Sequence, residues 1–245
     1  MKKLLALLLL LPQFSNAQLG GLINQAKDVV GGKSGSGSSI GNLDIASALK
    51  EALDKGIDKQ VTKLTALDGF YKNPSVKILF PEELKKVDKA LRSIGLGSLA
   101  DEGIKSLNRA AEDAVKESTP IFVDAVKQMT FTDAKNILMG SDNAATSYLQ
   151  KTTNKPLYDK FNPVVKNSIG KVGADQVWAT IIKKYNSLPL VSKVNPDIND
   201  YVTNKALEGV YKMIAVEEKD IRNNLNARTS NLLKDVFALQ DKKKK

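Results

Sequence analysis

The chain reads as all-α: a single multi-helix domain with a kinked long helix, placed after a cleaved signal peptide and a flexible Gly/Ser linker. Three observations predict this. Apolar residues recur at three- and four-residue spacing along most of the 245 residues. No stretch alternates with period two for long enough to build a sheet. Pro and Gly interrupt the periodic runs at roughly helix-length intervals, where a chain of helices needs breakers.

The first element is an address. Lys2 and Lys3 precede the apolar run Leu4 to Leu11, and Ser15-Asn16-Ala17 supplies small residues suited to signal-peptide cleavage. The run is too short to span a bilayer. Residues 1–17 are therefore expected to be removed, exporting a mature protein that begins at Gln18, with the periplasm as its expected location. Residues 18–42 form a short amphipathic segment, with Leu19, Leu22, Ile23, Ala26, Val29 and Val30 at helical spacing, followed by the linker GGKSGSGSSIGN. The segment Leu19 to Val30 is either a frayed start or a tethered helix able to make peripheral membrane contact.

The helical domain is expected over 43–239. Asp44 is suited to cap a helix whose apolar face carries Ile45, Leu49, Leu53, Ile57, Val61 and Leu64, closed near Gly69. Asn73 to Pro81 is bounded by prolines, and its run Val-Lys-Ile-Leu-Phe predicts an extended segment lying against the core. Pro81 starts the next helix and Gly95-Leu-Gly97 ends it. The stretch from Ser98 to Met129 is periodic throughout, and Pro120 must kink or break it. Thr130 to Asp133 resembles a capping box, and Gly140 ends that helix before Ser141-Asp142 caps another. Further helices are expected over 157–172, around Val177 to Tyr185, from Asp197 to Ile214, and after Thr229. Residues 240–245 form a basic tail, read either as a solvated end or as a docking site.

Composition excludes several chemistries. Neither Cys nor His is present, which removes disulfides, the usual soft-metal and haem ligands, Ser-His-Asp and Cys-His pairings, and the commonest general base near neutral pH. No metal and no cofactor are expected. Carboxylate chemistry survives this elimination, so an enzyme is disfavoured without being excluded. The formal charge of +10 includes the two leader lysines and the terminal lysine run, which leaves a mildly basic body. In the envelope, the anionic partners within reach are lipid head groups and cell-wall polymers; nucleic acid is not an expected partner.

Among 37 basic residues four are Arg: Arg92, Arg109, Arg222 and Arg228. Each raises the question of whether a planar, bidentate cation is required at its position. Arg109 has Glu112 one helical turn away, so an intrahelical ion pair competes with a ligand-binding role. Arg222 and Arg228 flank Asn223 to Asn226, where capping of helix carbonyls competes with binding. Asp124 and Gln128 share one helix face, and with Thr130, Asp133 and Asp142 they form a polar set threaded through apolar anchors. These eight residues, Arg109, Asp124, Gln128, Thr130, Asp133, Asp142, Arg222 and Arg228, are the ligand-binding candidates; no residue is assigned a catalytic role. Trp178 and the tyrosines at 148, 185, 201 and 211 read first as core or core-rim aromatics.

The run from Pro120 to Gly140, then Ala144-Ala145-Thr146, Tyr185 to Leu190, Asp200 to Gly209 and Ala227-Arg-Thr229 resemble the bacterial family catalogued as domain of unknown function 4197, in order, over about residues 43 to 238. The resemblance implies an exported helical envelope protein and supplies no activity, cofactor or catalytic residue. The function expected is thus a helical binding module for a small apolar or anionic envelope ligand, with a lipid, cell-wall or protein partner. The alternatives are a carboxylate-dependent hydrolase of an envelope polymer or lipid, and a structural scaffold. The oligomeric state does not follow from the sequence.

Overall fold

The computed structural model describes residues 41–243 apart from 94, 96, 172–174, 176–178, 180–182, 184, 185, 188, 191, 192, 194 and 196. The expected leader, the segment Leu19 to Val30, most of the Gly/Ser linker, Trp178, Tyr185, and Lys244 and Lys245 of the tail lie outside the described residues.

Helix α1 (Asn42–Thr65) buries Ile45, Leu49, Leu53, Ile57, Val61 and Leu64, the stripe read from sequence. Asp44 stands three residues inside the start, where its carboxylate accepts from Gly41 N–H at 2.9 Å. The helix stops at Thr65, and the chain reverses through a turn in which Asp68 takes φ 68°. Gly69 is required there by close approach, since a Cβ would lie 2.4 Å from the Lys63 carbonyl oxygen.

After the extended stretch Lys77 to Pro81, a 3₁₀ turn (Glu82–Leu84) leads into α2 (Lys85–Ser93). Helix α3 (Gly97–Val115) and α4 (Ser118–Gln128) divide the long periodic stretch. The break falls at Lys116 and Glu117, and Pro120 becomes the third residue of α4, where its missing N–H has no intrahelical partner to lose. Helix α5 (Phe131–Leu138) follows the Thr130 cap.

Helix α6 (Ala144–Gly170) differs from expectation, because it runs unbroken through Pro156 and Pro163 where two helices were anticipated. Both prolines are exposed, as are Thr152 and Asp159, whose carbonyls lose their donors. Water can satisfy groups on that face, while Leu149, Leu157, Phe161 and Val165 stay buried on the other. The described positions Asp175, Ala179, Lys183 and Asn186 are helical. Helix α7 (Ile198–Asn223) begins at Asp197, whose side chain accepts from Asn199 and Asp200 N–H. A 3₁₀ turn (Leu225–Ala227) leads to α8 (Asn231–Lys243), so the helical body continues past residue 239 and includes buried Gln240.

Helices α6 and α7 pack on each other and on α3, and α1 packs against α3, α4, α5, α7 and α8. The core between them contains Phe70, Phe122, Phe161, Leu138, Leu149 and Leu157, each with 0 % exposure. No strand occurs among the described residues. None of their helices is long and apolar enough to cross a membrane.

Candidate functional site

The segment after α1 builds the site. Residues Val76 to Leu79 alternate: Val76 and Ile78 are buried, Lys77 and Leu79 are exposed. An isolated extended segment has no neighbouring strand to satisfy its backbone, and Asn108 of α3 takes that place. Its Oδ1 accepts from Ile78 N–H at 2.8 Å, while its Nδ2 donates to the Ile78 carbonyl at 2.8 Å and the Ile104 carbonyl at 2.7 Å. One buried amide thus holds the segment as a strand would.

With one backbone edge on α3, the segment runs antiparallel to α7. Ser75 accepts from Lys212 Nζ at 2.7 Å, and the Leu79 carbonyl accepts from Tyr201 O–H at 3.0 Å. Between these contacts Gly209 admits Phe70 and Val76; a Cβ at 209 would meet Phe70 Cε1 at 2.7 Å. From Tyr201 to Lys212 the helix rises roughly 16 Å.

Between segment and helix lies a groove of about 530 Å³, within the size range of small-molecule sites. Val76, Ile78, Leu79, Phe80 and Tyr201 supply apolar surface, and Lys77, Lys85, Lys205, Lys212, Glu82 and Glu208 supply charge. Glu82 pairs with Lys85 at 2.6 Å and Glu208 with Lys205 at 2.7 Å. Lys212 makes its bond to the Ser75 carbonyl, and the Lys77 ammonium lies 4.3 Å from the centre of the Tyr71 ring. Neither has a carboxylate within ion-pairing distance among the described residues, although the charge of Lys77 contributes to lowering the Asp101 pKa, which Arg92 lowers more by hydrogen bonding. The rim therefore carries net positive charge.

The eight residues singled out from sequence fall in other places. Arg109 bridges Asp68 and Glu112 through its two terminal nitrogens. Glu112, 4 % exposed, also accepts from Phe70 N–H at 3.0 Å and Tyr71 N–H at 3.3 Å, so the trio clamps the turn after α1. Hydrogen bonds from Lys72 and then Arg109 hold the Asp68 carboxyl below its usual range. Thr130 and Asp133 form a reciprocal cap on α5, and the hydroxyl and N–H of Thr130 lower the Asp133 pKa. Asp124 and Gln128 are exposed on α4, and Asp142 is exposed in the turn before α6.

Arg222 is 2 % exposed and donates to the Ile137 and Leu138 carbonyls, to Gln240 Oε1 and to Glu218. Arg228, equally buried, donates to the Ile221 and Arg222 carbonyls and makes a bidentate pair with Asp241. The structure thus draws Arg222 and Arg228 together at the ends of α5 and α7. None of the eight residues lines the groove. No group of three or more acidic side chains among the described residues is arranged to hold a metal ion.

Sequence reasoning missed Asn108, Lys77 and Lys212, and it named Tyr201 first as a core or core-rim aromatic. A signal for Asn108 exists: it stands beside Leu107 on a stripe that continues through Ala111 and Val115, so a polar side chain is carried into the core. The lysines carry no such mark, being indistinguishable by spacing from any solvated helix face.

No curated protein and no solved structure matches the chain. A family model described as "Protein of unknown function (DUF4197)" matches residues 39–238, which include every element from α1 to most of α8. The chain belongs to that family.

Proposed function

We propose that the protein is an exported, periplasmic binding module that holds a small anionic ligand with an apolar part in the groove between Ser75–Lys85 and α7. Export is supported by residues 1–17. Binding is supported by one observation above all: Lys77 and Lys212 rim an apolar-walled groove with no carboxylate within ion-pairing distance of either among the described residues. Two lysines at an exposed rim provide little affinity alone, since surface ion pairs are worth about 0–1 kcal/mol each. The apolar walls add to it, at about 25 cal/mol per Å² of apolar surface removed from water. A ligand offering both features is held; a purely polar or purely apolar one is held weakly.

The test is mass spectrometry of small molecules extracted from the full-length protein after gentle purification, beside a Lys77→Glu/Lys212→Glu variant. Anionic compounds retained by the parent and absent from the variant, at equal thermal midpoint, are expected. Identical extracts overturn the reading. For export, the mature N-terminus recovered from cells is expected at Gln18, and a chain retaining Met1 overturns it.

A further inference from the structure

The groove is polarised along its length. At one end, Lys212 reaches the Ser75 carbonyl and Lys77, two residues later, lies against the Tyr71 ring; neither rim lysine has a carboxylate within ion-pairing distance among the described residues. At the other end, Tyr201 touches the Leu79 backbone, and Leu79, 52 % exposed, stands with Phe80 and Pro81. The flanking charges Lys85 and Lys205 are each neutralised by Glu82 and Glu208. Lysines without a carboxylate partner among the described residues and exposed apolar surface are therefore separated along roughly 16 Å of α7.

Resting on the groove being the binding site, we infer that its ligand is a single-chain anionic amphiphile, with its carboxylate or phosphate between Lys77 and Lys212 and its chain along Leu79, Phe80 and Tyr201. One chain suits the site because the walls are a single extended segment and a single helix face. A carboxylate and a phosphate monoester share the chemistry that two ammonium groups select, and the chain contributes through area removed from water.

Amide NMR of the full chain, titrated below micelle formation with octyl phosphate, octanoate, octanol and inorganic phosphate, tests this. Octyl phosphate and octanoate are expected to shift Leu79, Phe80 and Lys212 and to bind at least tenfold tighter than octanol or inorganic phosphate. Lys77→Gln/Lys212→Gln should bring octyl phosphate to the affinity of octanol, and Leu79→Ser should weaken octyl phosphate while leaving inorganic phosphate unchanged. Inorganic phosphate binding the groove as tightly as octyl phosphate overturns the amphiphile and leaves an anion groove. Octanol binding as tightly as octyl phosphate overturns the head-group assignment. Shifts confined to other surfaces, or none with any probe, overturn this inference together with the reading on which it rests.

Discussion

Glu218 and Arg222, one turn apart on α7, form a buried ion pair that fastens the ends of two other helices. Glu218 accepts from Ala145 N–H at 2.9 Å, Thr146 N–H at 2.8 Å and the Thr146 hydroxyl at 2.8 Å, at the start of α6. Arg222 donates to the Ile137 and Leu138 carbonyls at the end of α5. The carboxylate meets the positive end of one helix and the guanidinium the negative end of the other, which is the favourable sense for both dipoles. Asn143, the residue before α6, makes no side-chain cap of its own, and Glu218 supplies that role from a distant helix.

Arg222→Ala is therefore expected to cost about 3–5 kcal/mol, because it leaves a buried carboxylate without its partner. Replacing both residues by apolar side chains of similar volume, Glu218→Met with Arg222→Leu, should cost less than the two single changes summed. Urea denaturation of the four proteins measures it; additive losses would show that the pair does not act as a unit.

At the surface the opposite is expected. Thr130→Ala removes the hydroxyl that caps Asp133 N–H at 3.1 Å and should cost about 1 kcal/mol. Asp124→Asn and Gln128→Ala, on the exposed face of α4, should stay within about 0.5 kcal/mol of the parent. The same denaturation curves check this, and a large loss at Gln128 would reveal a structural role that its exposure does not suggest.

The helices were legible because burial imposes period 3.6 on them, and α1 bears the stripe from Ile45 to Leu64 that spacing alone picks out. The prolines were legible only in part. Pro120 signals a break that falls before it, at Lys116 and Glu117, whereas Pro156 and Pro163 lie inside α6, since a proline on an exposed face frees carbonyls that water satisfies. The extended segment expected over Asn73 to Pro81 holds for Lys77 to Pro81, while Pro74 to Val76 turn on the Asn73 carbonyl, which accepts from Val76 and Lys77 N–H; the segment's partners are 30 residues away at Asn108 and 122 away at Tyr201. Local pattern cannot carry such pairings, so the groove emerges only when the chain is folded. The arginines were visible as candidates, and whether they bind a ligand or helix carbonyls is decided by burial, which spacing does not encode.

Asn108→Ala should detach the extended segment without melting the domain. It strands the Ile78 N–H and carbonyl, and a buried unsatisfied group costs about 1–3 kcal/mol. Hydrogen exchange at Ile78 is expected to accelerate more than exchange in α6, and ligand retention by the groove should fall. Uniform acceleration across the domain would instead place Asn108 in the global core.

Gly209→Ala should act on the same groove from the other side. The added methyl would stand 2.7 Å from Phe70 Cε1 and 3.3 Å from Val76 Cβ, and Phe70 is wholly buried, so the segment must shift off α7. Overpacking of this kind costs about 1–3 kcal/mol. The chemical shifts of Val76 and Phe70 should move, with those of α5 unchanged; a parent-like spectrum and midpoint would mean that the contact yields without cost.

Two tyrosines should make the protein sensitive to alkali. Tyr211 is pushed up to about 12 by burial, against a smaller opposing effect of its hydrogen bond with Thr153 Oγ1 at 2.9 Å. Tyr158 is pushed up to about 12 chiefly because its O–H donates to the Asp200 carboxylate at 2.6 Å, with burial and the Asp200 charge adding to it. In both cases the fold holds the neutral phenol more tightly than the unfolded chain does, for which the reference value is 10.0. The linked stability is present in full below pH 10 and is lost as pH rises from there through about 12. Phenolate absorbance should accordingly show late titration by Tyr211 and Tyr158, lost in Tyr211→Phe and Tyr158→Phe respectively, beside Tyr148, whose pKa burial and then the Asp133 charge also raise. Asp200→Asn should bring Tyr158 back toward its ordinary range while leaving Tyr211 late. Titration of every phenol together near pH 10, with helical circular dichroism intact, would refute both assignments, because groups held in those surroundings cannot ionise at their solution value while the helices remain packed.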